Sequence, residues 1–116
     1  HQNDPEKIAK LVKINTYHVT LFSRFLEKLR TIPDGDGSLL DNAMIMYGCG
    51  MSNGNGHVPM NVPVLLVGGG GSKLRGGRHL RYTEDKTLEA LHLTVMDKLG
   101  VRVDRISDSS ERLSGI

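Results

Sequence analysis

Residues 43–71 read AMIMYGCGMSNGNGHVPMNVPVLLVGGGG. An apolar run is followed by a polar loop of glycine and asparagine carrying one histidine, then a second apolar run, then four glycines. The two runs, about Asn42–Tyr47 and Val62–Val67, are apolar at nearly every position, which predicts short strands buried on both faces. No helical pattern separates them. The connection, roughly Cys49 to Val62, is long for a compact domain, and such loops tend to carry function. Gly68–Gly71 ends the second strand, and a third short strand is expected near Arg78–Tyr82.

Upstream, Asp4-Pro5 is a helix start, because aspartate caps well and proline fits the first helical position. Ile8, Leu11, Val12, Asn15, Val19, Phe22, Leu26 and Leu29 recur at three- and four-residue steps. That spacing predicts a long amphipathic helix over 5–30 with one apolar face, leaving Lys7, Lys10, Lys13, Arg24 and Lys28 mostly on the solvated side. Thr31–Gly37 is a turn cluster that stops it. Asp34 and Asp36 lie there, but the later ligands and terminal glutamate of a calcium loop do not follow, so a plain turn is expected. Downstream, Leu88, Leu91, His92, Val95 and Leu99 predict a second helix over 86–99, stopped by Gly100. Residues 101–116 are polar and serine-rich and read as an extended tail. No internal repeat and no second domain is visible.

The bulk composition narrows the classes. With 116 residues this is one domain or a piece of one. Aromatics are only 4% and tryptophan is absent, so the core must be aliphatic. A formal charge of +2 is too small to argue for a nucleic-acid partner. No apolar run approaches the length of a membrane span. Cys49 is the sole cysteine, so an internal disulfide is impossible. The chain begins at His1 rather than at methionine, which fits a segment of a longer protein.

Several groups could carry chemistry. The glycine run has the look of a phosphate loop but lacks both the lysine-bearing pattern and the dinucleotide pattern; a flexible turn beside a site is the better reading. Between Gly37 and Thr83 the only bases are Lys73, Arg75, Arg78 and Arg81, against the single acid Asp41. They could bind an anion, since arginine matches phosphate or sulfate oxygens in bidentate fashion, or simply form a solvated basic loop. His57 could ligate a metal or be an ordinary loop histidine. His18 and His92 lie on helices and read as packing or surface residues. Cys49 could be a nucleophile, a soft metal ligand or a small buried residue. No serine–histidine–aspartate set can be assigned.

Three segments resemble the C-terminal part of the HXXSHH family of uncharacterised exported bacterial proteins. They are residues 39–71 (LLDNAMIMYGCGMSNGNGHVPMNVPVLLVGGGG), Gly76-Gly77-Arg78-His79-Leu80-Arg81-Tyr82, and the closing stretch from Gly100-Val101 through Ser107-Asp108-Ser109 to Leu113. The resemblance spans the whole chain but only the tail of the family's length. It implies an alkaline-phosphatase-like α/β sandwich, here represented by two helices on a short mixed sheet, and a periplasmic or secreted location. It also implies a metal-dependent hydrolase of phosphate or sulfate esters using a divalent ion such as zinc. In that superfamily a Ser-Asp-His-Gly after the first strand supplies two metal ligands and a histidine before the second strand supplies another. His57 falls at that later histidine, and His1 at the end of the family's naming motif. Tyr47-Gly48-Cys49-Gly50 stands where Ser-Asp-His-Gly would be, so Gly48 takes the aspartate position and Cys49 the histidine position. Lys73, Arg75, Arg78 and Arg81 become candidates to hold an anionic small molecule or polysaccharide. The implied partner is the rest of a parent protein upstream of His1, without which the chain is expected to be inactive. The alternative is a non-catalytic extracellular binding or structural protein on a degenerate hydrolase fold.

Overall fold

The computed structural model describes residues 2–116. The first helix, α1, runs Pro5–Thr31. Its start is the one the sequence signals: Asp4 Oδ1 accepts hydrogen bonds from the amides of Glu6 at 2.9 Å and Lys7 at 3.2 Å. This satisfies two of the four amides that a helix start leaves without partners. A tight antiparallel hairpin follows, β1 (Pro33–Asp34) and β2 (Gly37–Ser38), closed through Gly35-Asp36. A single helical turn, α2 (Leu39–Asn42), comes next. Ser38 and Asp41 form its capping box: the Asp41 carboxylate accepts from the Ser38 amide at 2.8 Å and hydroxyl at 2.7 Å. Those bonds hold the Asp41 carboxyl below its ordinary pKa.

The segment 43–71 forms β3 (Ile45–Gly48) and β4 (Val64–Val67), joined by residues 49–63. The two strands pair antiparallel, with Ile45 opposite Val67 and Gly48 opposite Val64. The mixed sheet and the third strand near Arg78–Tyr82 are replaced by two separate two-stranded antiparallel ribbons. The reason lies in the connection: with no helix to carry the chain across, it doubles back and pairs with itself. Ile45, Tyr47, Leu65 and Val67 share one face of the β3–β4 ribbon, and Met46 and Leu66 share the other. The cover is incomplete for strands apolar throughout: the Phe22 ring of α1 stacks on Tyr47 with centroids 4.3 Å apart, but other positions stay open. Leu65 is 51% exposed and Met46 38%.

The four glycines after β4 are not a flexible turn. They wedge against α2, and their amides serve its open carbonyl end. The amides of Gly69, Gly71 and Gly70 donate to the carbonyls of Leu40, Asp41 and Ala43, each at 3.0 Å. The approach is backbone on backbone. A Cβ at Gly68 would collide with the Ala43 carbonyl oxygen, and one at Gly69 with that of Asp41. Gly68 also holds φ 104°, a region closed to side-chain-bearing residues. The run is glycine because nothing larger can close that seam, and the amides a phosphate would need are already engaged.

The helix α3 spans Leu88–Lys98 and carries the buried core: Ala90, Leu91 and Leu93, with the polar Thr94 among them. It was expected to cover the sheet. Its side-chain bonds beyond the helix run to irregular chain, which clasps it. The clasp is the C-terminal segment, which reads as a loose tail in the sequence. Arg112 bonds the Asp97 carboxylate at 3.0 Å and the carbonyls of Val103, Asp104 and Ser110. The Thr94 hydroxyl accepts from the Leu113 amide at 2.7 Å. The Tyr82 hydroxyl donates to the Ser114 carbonyl at 2.8 Å, and Lys86 pairs with Glu111 at 2.5 Å.

Replacing Arg112 by methionine keeps the stem and removes four hydrogen bonds. The expected outcome is faster hydrogen exchange at Leu113 and at Ile106 and Ser109, which bond each other, with α1 unaltered; unchanged protection in the C-terminal segment would refute the clasp. Acid acts on the same point. Arg112 holds the Asp97 carboxyl below its usual pKa, chiefly through the hydrogen bond. A depressed folded-state pKa contributes stability above the unfolded value, and that contribution disappears as pH falls through the folded one. The clasp therefore loosens below the ordinary carboxylate range in the native chain, and Arg112→Met weakens that pH response, leaving only the charge of Arg102 to depress Asp97.

Candidate functional site

The loop of residues 49–63 is built on short polar bonds. Asn53 folds it back on itself: its Oδ1 accepts from the amides of Asn55 at 2.9 Å and Gly56 at 3.3 Å. Asn53 also bridges Val58, whose amide donates to the Asn53 carbonyl at 3.1 Å, while the Ser52 amide donates to the Val58 carbonyl at 2.9 Å. Asparagine suits this turn because its side chain mimics a backbone acceptor. His57 sits at the crest, exposed, with φ 52°. Left-handed backbone is uncommon for a residue with a side chain and is enriched at ligand-binding positions.

Asn55 ties the loop to the start of α1. Its Nδ2 donates to Asn3 Oδ1 at 2.8 Å, and the Asn3 amide donates to Asn55 Oδ1 at 3.2 Å. The pairing spans 52 residues of sequence and has no periodic signature. It brings the turn before α1 against the His57 loop. His1, the other metal-ligand candidate, lies outside the described residues.

Cys49 is exposed, which removes the reading of it as a small buried residue. Its thiol donates to the Met51 carbonyl at 3.0 Å. Gly48 is closely packed: a Cβ there would lie 2.9 Å from the Pro63 carbonyl oxygen. A side chain at the position where the family pattern places an aspartate would thus require the backbone at Pro63 to shift. Among the described residues no group of three or more histidine, cysteine, aspartate or glutamate side chains converges to hold a metal ion.

Of the basic candidates Lys73, Arg75, Arg78 and Arg81, one has its guanidinium engaged. Arg78 is committed to backbone: its Nε donates to the Arg75 carbonyl at 2.9 Å and its Nη1 to the Gly115 carbonyl. It belongs to the C-terminal clasp. Lys73, Arg75 and Arg81 are exposed. The Lys73 carbonyl accepts from Lys98 Nζ at 2.9 Å. His18 is exposed on α1, near the Tyr17 ring, and His92 is half-buried on α3.

Sequence reasoning missed Arg112, Thr94, Tyr82 and the Asn3–Asn55 pair. The only local signal was the two Asn-Gly dipeptides, which mark a turn but not its partner. Among the described residues no helix is long and apolar enough to cross a membrane. Compared with known proteins, the chain matches no family model, no curated protein and no solved structure.

Proposed function

We propose that this chain is one wall of a larger exported α/β body of the alkaline-phosphatase-like kind, and that the 49–63 loop lines a cleft for an anionic small molecule or polysaccharide. On this reading the body is a non-catalytic binder on a degenerate hydrolase fold. The observation that carries it is the packing of Gly48 against Pro63. A ligand-bearing side chain at that position would require the β3–β4 pairing to shift. His57, exposed and left-handed two residues beyond the Asn3–Asn55 anchor, is on this reading the residue that meets the ligand.

The larger body is inferred from surface. A compact chain of this mass exposes about 6,200 Å², whereas this one exposes 8856 Å². Its radius of gyration is 16.5 Å, against about 13 Å for a compact domain of this length. The excess of roughly 2,600 Å² is on the scale of an obligate interface. It concentrates on α1, where Ile8, Leu11, Val12, Ile14, Val19 and Leu21 are all exposed. Lys7, Lys10, Lys13, Arg24, Lys28 and Arg30 on the same helix outnumber Glu6 and Glu27. Two such helices would repel each other, which favours a chemically different cover, the remainder of a parent protein, over a second copy.

A second reading, the metal-dependent hydrolase of phosphate or sulfate esters, keeps His57 as one ligand of a shared site. It is favoured by the same exposed histidine. One experiment separates the two. The parent protein, purified with its own metal content, is assayed for bound divalent ion, for ester hydrolysis with and without chelator, and for binding of sulfated and phosphorylated ligands. The binder reading expects anion binding that His57→Ala weakens about tenfold or more, the loss of one charge-assisted hydrogen bond, with no chelator-sensitive turnover. Chelator-sensitive hydrolysis abolished by His57→Ala would replace it with the enzyme.

A further inference from the structure

Asn53 and Asn55 each precede a glycine, and the fold gives their two amides opposite surroundings. Asn53 is exposed. Its side-chain carbonyl oxygen receives two backbone N–H groups, from Asn55 at 2.9 Å and Gly56 at 3.3 Å. The next residue, Gly54, has open space where a Cβ would stand. Asn55 is half-buried, and both ends of its amide are bonded to Asn3.

We propose that Asn53 is a site of spontaneous deamidation, activated by the loop's own amides, and that Asn55 is protected by Asn3. The Gly54 nitrogen gives its proton to hydroxide and bonds to Asn53 Cγ. The carbonyl electron pair moves onto Oδ1, where the Asn55 and Gly56 amides stabilise the developing charge as an oxyanion hole does. Collapse of that adduct breaks Cγ–Nδ2, and ammonia leaves with a proton taken from water. The resulting five-membered imide then takes up one water at either carbonyl and opens to an aspartyl or iso-aspartyl residue at position 53. No electrons are exchanged with any outside reagent. Glycine at 54 matters because the attacking nitrogen carries no crowding side chain beside it.

The product differs from its parent at the candidate cleft. It places a negative charge four positions before His57. The iso-aspartyl form also adds a methylene to the backbone within the bridge between Asn53 and Val58. The conversion would therefore turn an anion-accepting loop into an anion-repelling one. The site stands on the loop geometry alone and does not depend on the reading of the protein as a binder or a hydrolase.

The test is ageing of the whole native chain in mildly alkaline buffer, followed by peptide mapping that resolves aspartyl from iso-aspartyl products. Conversion at position 53 is expected to exceed that at 55 by about tenfold, equivalent to about 1.4 kcal/mol in barrier. In urea the two Asn-Gly sites should react at similar rates, since the dipeptide is the same and the loop is gone. Asn3→Ala should accelerate position 55 and leave 53 unchanged. Equal or faster conversion at 55 in the native chain would overturn the proposal, as would slower conversion at 53 in the native chain than in urea. The same tenfold preference persisting in urea would overturn it too, because the cause would then lie in sequence rather than fold.

Discussion

Gly69→Ala should destabilise this protein by about 3 kcal/mol or more, the upper range for forcing atoms into a closed seam. The added methyl would meet the Asp41 carbonyl oxygen at well below contact distance. Neither partner can yield, because both are backbone. Relief requires Gly69 to withdraw from α2, and withdrawal breaks the bonds from the amides of Gly69, Gly70 and Gly71 to the carbonyls of Leu40, Ala43 and Asp41. Those carbonyls are the open end of a helical turn, and leaving them without donors costs in addition to the clash. Since domains of this size are commonly stable by only about 5–15 kcal/mol, the loss is a large share of the total. Gly76→Ala is the matched control: its site has open space and an ordinary φ, so a change within about 0.5 kcal/mol is expected. Urea unfolding followed by circular dichroism measures both. Equal midpoints for the two variants would show that the glycine run is not the wedge described.

Leu93→Ala should cost about 2–5 kcal/mol, the range for removing a buried leucine side chain and leaving a cavity. Leu93 is at 0% exposure and is the largest fully buried side chain among the described residues. With Ala90, Leu91 and Thr94 it makes the small interior under the C-terminal clasp. A core this small has few neighbours to collapse into the space, so the cost should fall high in the range. Leu65→Ala removes the same atoms from a residue that is half exposed and should cost far less. The comparison is again a urea midpoint. Similar losses for the two leucines would mean that the interior lies elsewhere.

The helices were the legible part of the chain. The α1 span of Pro5–Thr31 follows from the Asp4-Pro5 start and the apolar steps, and α3 follows from its own periodicity and Gly100. These signals act within a few residues, so sequence carries them directly. The strands were legible as strands but not in their surroundings. A run apolar on both faces indicates what it needs to be covered by, yet Leu65 and Met46 stay open while Phe22 of α1 covers Tyr47 beside them in the ribbon. The glycine run shows the opposite failure. Its composition suggests flexibility, and only its partners, some 28 residues earlier at 40–43, turn it into a constrained turn. Arg112 was invisible for a related reason: one of three arginines in a serine-rich tail, it reads as solvated until Asp97 and three carbonyls are brought around it. At the candidate site, His57 could be singled out from sequence. The Asn3 anchor, the engagement of Arg78 and the lack of room at Gly48 could not, since each depends on backbone held in place from elsewhere.

The glycine seam also imposes an order of events on folding. The carbonyls that it closes belong to α2, while the amides that close it follow β4, and the whole 49–63 loop lies between them. An isolated helical turn does not persist in water, so α2 cannot wait for its cap; it must form with it. The β3–β4 hairpin, which carries Gly68–Gly71 back to residues 40–43, is therefore expected to zip before α2 and its cap condense together. The rate of that closure is set by the entropy of the loop that carries His57, growing only slowly with its length, about 0.6 kcal/mol per doubling. Evolution can thus lengthen or redecorate the loop at little kinetic expense, provided that the four glycines still arrive.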